Sequence, residues 1–197
     1  MADCENGMSV SREIQSIYAR GGADAYFGEA VTQVEHGLQA AYFAAASGAS
    51  EALVLAALLH DIGHLIEPAP ADIAEWRHDA CHERSGSRWL AAHFGPVVHE
   101  PVRLHVAAKR YLCATDRAYV RRLSSASIHT LGLQGGPMTA LEVAAFEAEA
   151  FGRDAVLLRQ WDDQGKVRGL RTPDFTEYLP LMERLSAGGV SSLRAVE

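Results

Sequence analysis

Apolar residues recur along most of the chain at the three- and four-residue spacing that is typical of helices packed on a core. A helix is predicted over 11–20, where a pair of glycines follows, and another over 29–46. The two-residue alternation of strands is almost absent. Further helices are predicted at about 79–94, 97–110, 115–123, 139–151, 153–160 and 173–186. The pattern therefore predicts an all-α protein.

The segment over 52–59 is apolar on every side. Ser50 is a suitable N-cap for a single helix with the sequence EALVLAALLHDIGHLI. Because a helix without a polar face is normally buried, we expect it to pass through the middle of the fold. For the last predicted helix, Pro173 lies just inside the start and Gly188 just past the end, as helix ends prefer.

The composition fits one compact domain. The chain has 197 residues, 48% of them hydrophobic, and no repeat or linker divides it. We predict a single domain over 1–197, with a core at about 10–186 and short flexible termini. No run of about 18 uninterrupted apolar residues occurs, and the first residues have no apolar signal-peptide core, so no membrane span and no export signal are expected.

Charge and cysteine usage narrow the class of partner. The chain has 18 Lys and Arg against 25 Asp and Glu, a formal net charge of −7. Nucleic acids and anionic membranes are bound by clustered Lys and Arg, so neither is expected as a partner. Cys4, Cys81 and Cys113 show no C-x-x-C spacing, which argues against a disulfide framework and predicts a cytoplasmic location. The oligomeric state stays open.

Candidate chemistry is densest at His60-Asp61-Ile62-Gly63-His64, where the apolar helix ends; the chain has nine histidines. Polar side chains in a buried helix need hydrogen-bonded partners or a metal. We expect His60 and His64 on one helix face and Asp61 about 100° away, where it could bridge two metal ions. Helical bundles build metal sites from inward side chains on separate helices, and four more candidates lie in other helices: His36, His82, His105 and Asp162. A single buried histidine is more often a core residue, but the whole set favours a metal site.

The order H…HD…D resembles the HD-domain superfamily, an all-α fold whose members are mostly metal-dependent phosphohydrolases. From about residue 10 to 185 the chain more closely resembles the HD-domain mixed-valent di-iron oxygenases that cleave organophosphonates, relatives of the inositol oxygenases. Six blocks carry this resemblance: Tyr26-Phe27-Gly28-Glu29-Ala30, Gln33-x-Glu35-His36, Leu55-Ala56-Ala57-Leu58-Leu59-His60-Asp61-x-Gly63-His64, His105-Val106-Ala107-Ala108-Lys109-Arg110-Tyr111-Leu112, Leu131-x-x-Gln134-Gly135-Gly136-Pro137-Met138 and Arg159-x-Trp161-Asp162. It implies a single HD-domain helical bundle.

The resemblance also implies a centre of two iron ions, Fe(II) and Fe(III), with O2 as co-substrate. One iron would be held by four residues: His36, His60, Asp61 and Asp162. The other would be held by three: Asp61, which bridges, His82 and His105. Tyr26 would occupy a position on the second iron and leave it when substrate arrives, helped by Glu29. From the residues alone, imidazole and carboxylate donors suit iron, manganese and zinc alike.

A pocket for an organophosphonate follows from the same resemblance. His64, Lys109 and Arg159 would bind the phosphonate, as cations that an acidic protein must supply locally. Ser127, Thr130 and Gln134 would complete the pocket. By sequence alone, Lys109 is equally consistent with a solvated surface lysine, and Arg159 with an ion pair on a helix surface. Tyr26 is also consistent with an aromatic core residue.

The implied reaction is O2-dependent cleavage of the C–P bond of 1-hydroxy-2-(trimethylamino or amino)ethylphosphonate, which releases phosphate and glycine betaine or glycine. A quaternary ammonium needs an aromatic or acidic enclosure. Candidates are Tyr26, Phe27, Glu29 and Trp76, and the last begins a segment, 76–81, that matches no block. The trimethylated substrate is the favoured one, and the degree of methylation stays open.

Two other functions stay open. The same centre would activate water in a metal-dependent phosphohydrolase acting on a nucleotide or phosphate monoester. A degenerate HD module would instead serve a regulatory or scaffolding role. The complete ligand set argues against the module, and His82, His105 and Tyr26 together favour a dinuclear oxygenase.

Overall fold

A computed structural model describes residues 8–67 and 75–187. The described ranges form ten α-helices: α1 Val10–Gly21, α2 Gln33–Ala46, α3 Glu51–Leu59, α4 Ile62–Ile66, α5 His82–Ala91, α6 Pro96–Thr115, α7 Ser125–Leu133, α8 Ala140–Glu147, α9 Gly152–Gln164 and α10 Leu179–Leu185. Two 3-10 turns lie at Val120–Arg122 and Phe175–Tyr178. In these ranges extended backbone pairs only at two isolated bridges, and no helix is long and apolar enough to cross a membrane. The all-α prediction is confirmed.

The core is built around α3, as its unbroken apolar sequence predicts. Every side chain from Leu53 to Leu59 is buried, and α3 packs against α2, α6, α9 and α10. Ser50 caps the helix, its hydroxyl accepting from the backbone N–H of Leu53 at 3.3 Å. Each buried leucine contributes on the order of 2 kcal/mol from removal of apolar surface from water. A central helix of this kind holds the residues that follow it in a fixed position.

The single helix predicted through His60 and Asp61 is wrong, because the chain breaks between α3 and α4. Asp61 has φ −101° and ψ 11°, outside helical geometry. The break shifts α4 so that Gly63 packs directly on α5, where an added Cβ would lie 2.0 Å from the carbonyl oxygen of His82. His60 and His64 therefore do not share one helix face. The two rings contact different residues: His60 lies beside His36, whereas His64 stacks on His82.

The second helix starts at Gln33 instead of residue 29. Phe27 and Gly28 have φ of 40° and 81°, and this left-handed backbone forms a turn that a helix cannot include. Thr32 and Glu35 then form a capping box with reciprocal side-chain to backbone hydrogen bonds. The Tyr26–Glu29 block is thus a turn in front of α2.

The structure differs from the sequence-based expectations at other places as well. The helix predicted over 115–123 does not form, and α6 instead continues to Thr115. After it, the side chain of Asp116 accepts a hydrogen bond from the backbone N–H of Ala118 at 2.8 Å, and this local turn competes with a helix. Helix α7 was not predicted, since only Ser127 and Leu131 of it are buried and no broad apolar face marks it. At the C-terminal end, Asp174 caps a 3-10 turn. Pro173 therefore precedes the helix start.

Some predictions concern residues outside the described ranges. These are the flexible termini, Cys4 and the glycine at 188. The single domain over the whole chain stays a prediction.

Candidate active site

Four side chains from α2, the α3–α4 break and α9 converge in the interior: His36, His60, Asp61 and Asp162. Nε2 of His36 lies 3.1 Å from Nε2 of His60 and 3.4 Å from Oδ1 of Asp162. Oδ2 of Asp61 lies 3.5 Å from Nε2 of His60. These residues, predicted as one ligand set, do lie together.

A second group forms on the other side of Asp61. Nε2 of His82 and Nε2 of His105 are 3.1 Å apart. Oδ1 of Asp61 lies 3.1 Å from the first of these nitrogens and 3.6 Å from the second. The two oxygens of Asp61 therefore point to different histidine pairs, which is the arrangement that a bridging carboxylate requires.

Backbone carbonyls orient three of the four imidazoles. Nδ1 of His36 lies 2.9 Å from the carbonyl oxygen of Gly165, and His60 and His105 make the same contact with the carbonyls three residues before them, at 2.8 and 2.7 Å. A carbonyl only accepts, so each Nδ1 carries a proton and donates it, and in the neutral ring that binds a metal Nε2 keeps its lone pair. In the His36–His60 pair two lone pairs thus face each other, and they need a cation between them. The donor set fits a metal ion, with carbonyls that fix the ligand tautomers.

The protonation states suit metal binding as well. Burial lowers the pKa of His60, and burial and His82 lower the pKa of His105 to about 3, so both rings are neutral. Burial would raise the pKa of Asp61, but its close contact with His60 and its hydrogen bond with His82 hold that pKa well below its usual value. Neutral imidazoles beside an ionised carboxylate are the forms that bind a metal.

An aromatic wall covers this centre. The ring of Tyr26 stacks on His36 with centroids 3.8 Å apart, and Phe27 packs edge-on against Trp76 at 4.8 Å. His64 stacks on His82 at 3.8 Å. Burial and His82 lower the pKa of His64, so it offers a neutral ring and not the cation expected of it. Its ring nitrogen also lies close enough to Asp61 and His82 to share a metal with them, within 4.8 Å.

A cavity opens beside the centre, and the six residues predicted to bind a phosphonate all line it: His64, Lys109, Ser127, Thr130, Gln134 and Arg159. Nζ of Lys109 donates to Oγ1 of Thr130 at 2.8 Å. Arg159 is buried, with one guanidinium nitrogen 2.7 Å from Oδ2 of Asp162 and the others bonded to Asp163 and Tyr119. Lys109 and Arg159 are therefore cavity groups, and the surface alternatives are wrong.

Two charged side chains at the site were not singled out from the sequence, Lys166 and Glu83. Lys166 reaches the cavity from the loop after α9 and donates to Oγ of Ser127 at 3.1 Å. Glu83 is buried, and its Oε2 lies 3.8 Å from Nδ1 of His82, beyond hydrogen-bond distance. The sequence held a signal for the lysine, since the chain has only two lysines, Lys109 and Lys166. Nothing in the sequence pointed to Glu83 except its position directly after His82.

No family model matches the chain. It is 44% identical over 180 residues, 91% of its length and 92% of the relative's, to the 1-hydroxy-2-(trimethylamino)ethylphosphonate dioxygenase (glycine-betaine-forming) of Leisingera caerulea. It is 48% identical over 154 residues, 78% of its length and 77% of the relative's, to the hydroxymethylphosphonate dioxygenase of Gimesia maris. An uncharacterised protein of Acanthamoeba polyphaga mimivirus is 34% identical over 171 residues, 86% of the chain and 78% of that protein.

Similarity of this extent to two phosphonate dioxygenases agrees with the resemblance found in the motifs, and it comes with a helical fold that gathers the motif residues. The chain therefore belongs to the HD-domain oxygenase family that includes these phosphonate dioxygenases.

Proposed function

We propose that the chain is a mixed-valent di-iron oxygenase that uses O2 to cleave the C–P bond of a 1-hydroxyalkylphosphonate. The favoured substrates are 1-hydroxy-2-(trimethylamino)ethylphosphonate, which would give glycine betaine and phosphate, and 1-hydroxy-2-aminoethylphosphonate, which would give glycine and phosphate. The observation that carries the proposal is the shared carboxylate of Asp61 between two histidine pairs, next to a cavity lined by cations. The named activities of two relatives support the reaction class.

In this proposal the two irons would be held by the residue sets described above. One set is His36, His60, Asp61 and Asp162, and the other is Asp61, His82 and His105. When bound, the irons would supply redox chemistry with O2 and Lewis acidity. The carbonyls behind His36, His60 and His105 keep the ligating nitrogens free of protons.

The other residues would bind and orient the substrate. Lys109 and Arg159 supply the positive charge that a phosphonate dianion needs, and His64, Ser127, Thr130 and Gln134 supply further polar contacts. Tyr26 would occupy a metal position until substrate enters, with Glu29 assisting its departure. The ring pair of Phe27 and Trp76, which lines the cavity, would exclude water from the reacting carbon.

The proposal also covers location and partners. Cys81 and Cys113 carry free thiols, which supports a reducing cytoplasm. The only partner proposed is the small phosphonate, because the net charge of −7 disfavours nucleic acid.

The decisive experiment gives anaerobically purified, iron-loaded protein each candidate phosphonate and measures O2 uptake together with phosphate release. We expect equal amounts of O2 consumed and phosphate formed. Phosphate release without O2 uptake would identify a phosphohydrolase, and no turnover of any phosphonate or phosphate ester by protein with two bound irons would favour the regulatory module.

The bridging role of Asp61 is tested by its metal content. We expect Asp61→Asn to lose most of the iron, because it removes the charge that both ions share. Asp24→Asn, at an exposed carboxylate, is the matched control and keeps the metal content of the wild type. Two metals per chain retained in Asp61→Asn would show that the bridge is assigned to the wrong residue.

A further inference from the structure

Lys166 lies in the cavity, yet the resemblance gives it no role. Its ammonium donates to Oγ of Ser127 at 3.1 Å and lies 3.4 Å from Oε1 of Glu29, with the side chain only 13% exposed. The same ammonium lies 5.9 Å from the centre of the Tyr26 ring. Lys166 therefore joins the predicted phosphonate side of the cavity to the turn that carries Tyr26 and Glu29.

The use of lysine along the chain is selective. Of the 18 Lys and Arg residues only two are lysines, Lys109 and Lys166, and both line this one cavity. All other cationic side chains are arginines. A lysine ammonium is a compact charge on a flexible stem that can change partners, whereas a guanidinium holds a fixed planar geometry. Both lysine side chains of the protein thus lie where the anionic substrate is proposed to bind.

Lys166 is less engaged by carboxylates than Arg159 is. The guanidinium of Arg159 contacts Asp162 and Asp163, and it also donates to Tyr119 and, at 3.5 Å, to Oγ of Ser127. By contrast, Oε1 of Glu29 is buried and accepts no hydrogen bond within the described residues, although Lys166 lies 3.4 Å away. The Lys166–Glu29 pair is therefore a charge contact without a hydrogen bond, and N–H groups of Lys166 remain free to turn to another anion.

We propose that Lys166 is a further substrate-binding residue, whose ammonium exchanges Glu29 for the phosphonate group at Ser127. The proposal rests on the proposed function for the identity of the anion. The exchange keeps the largely buried ammonium beside an anion in both states, so no unpaired charge is left in the cavity. The exchange also releases Glu29 from Lys166 when the phosphonate binds. Phosphonate binding at Ser127 is thereby linked to the turn that carries Tyr26 and Glu29.

The first test measures binding of inorganic phosphate, the proposed product, to the metal-loaded protein by calorimetry. Lys166→Met should weaken binding on the order of 10- to 100-fold, the effect of losing a charge-assisted hydrogen bond. Lys166→Arg keeps the charge but not the compact ammonium, so it should recover only part of the affinity. Arg168→Met is the matched control, because it removes an exposed cation two residues along the same loop and should leave binding unchanged.

The partner exchange is tested with Glu29→Gln. This change removes the competing anion, so it should tighten phosphate binding in the wild-type background and have no effect in Lys166→Met. Equal effects of Glu29→Gln in both backgrounds would overturn the exchange. Unchanged phosphate affinity in Lys166→Met would overturn the binding role.

A second readout does not depend on substitution. Because the chain has two lysines, acetylation of each can be followed by peptide mass. Phosphate should protect Lys166 from acetylation, and an unprotected Lys166 at saturating phosphate would contradict the proposal. If phosphate binding depends on Lys166 but no phosphonate is cleaved with O2, the anion site stands and the proposed oxygenase function fails.

Discussion

At the scale of single residues, Lys109 shows how burial makes a charge depend on pH. The side chain is 3% exposed and donates to Thr130 at 2.8 Å. Burial and the neighbouring Arg159 lower the pKa of Lys109 to about 7. The positive charge available for a phosphonate at this position is therefore partly lost near neutral pH, unlike that of an exposed lysine.

The expected consequence is a fall of kcat/KM for the phosphonate substrate as the pH rises through about 7. The sign follows from the lowered pKa, because the charged form of a base with a depressed pKa is lost at a lower pH than in water. Lys109→Arg stays charged and should remove this descending limb, which a pH series of initial rates would show. An identical profile in both proteins would exclude Lys109 as its source.

At the scale of elements, close approach of backbone between α4 and α5 positions His82. A Cβ on Gly63 would lie 2.0 Å from the carbonyl oxygen of His82, so only glycine allows this contact. The contact depends on the break at Asp61, which sets where α4 begins. The absence of a side chain at Gly63 therefore allows the segments that carry Asp61 and His82 to approach closely.

We expect Gly63→Ala to destabilise the protein by about 3 kcal/mol, since backbone must shift to admit the methyl group. Displacement of His82 should also lower the metal content. Gly132→Ala in α7 is the matched control, because an added Cβ there meets no atom within 4 Å and alanine favours a helix, so it should be neutral or stabilising by up to about 1 kcal/mol. Urea denaturation measures both, and equal stability of the two variants would contradict the contact.

At the scale of the whole molecule, the candidate metal centre connects segments that are distant in the chain. Its donors come from α2, the α3–α4 break, α5, α6 and α9. A metal bound there is bound only by the folded protein, because the unfolded chain does not hold the donors together. Metal binding should thus stabilise the fold as a unit.

Removal of the metal by a chelator should lower Tm by about 10 °C, which corresponds to roughly 4 kcal/mol at a metal concentration of about a thousand times Kd. Differential scanning calorimetry with and without chelator measures the change. In Asp61→Asn, which should hold little metal, the chelator should have almost no effect. A wild-type Tm that does not respond to complete metal removal would show that the centre does not stabilise the fold.

Much of the fold was predictable where local chemistry decides it. The apolar run of α3 and its cap at Ser50 are properties of adjacent residues, and both predictions are confirmed. The turn at Phe27, the break at Asp61 and the whole of α7 were not predicted. Each of these features depends on contacts with other elements or has only a weak apolar face. The spacing of hydrophobic residues along the chain therefore does not predict them.

The sequence by itself determined the helical class, the central buried helix and the set of histidines and carboxylates, because residue type and spacing are local properties. Only the tertiary structure decided that each oxygen of Asp61 faces a different histidine pair, and which carbonyls hold the ring protons. It alone also brought Lys166 from the loop after α9 to Ser127 and Glu29. The physical reason is that these contacts join residues far apart in the chain, and packing of the helices, not sequence spacing, sets their geometry.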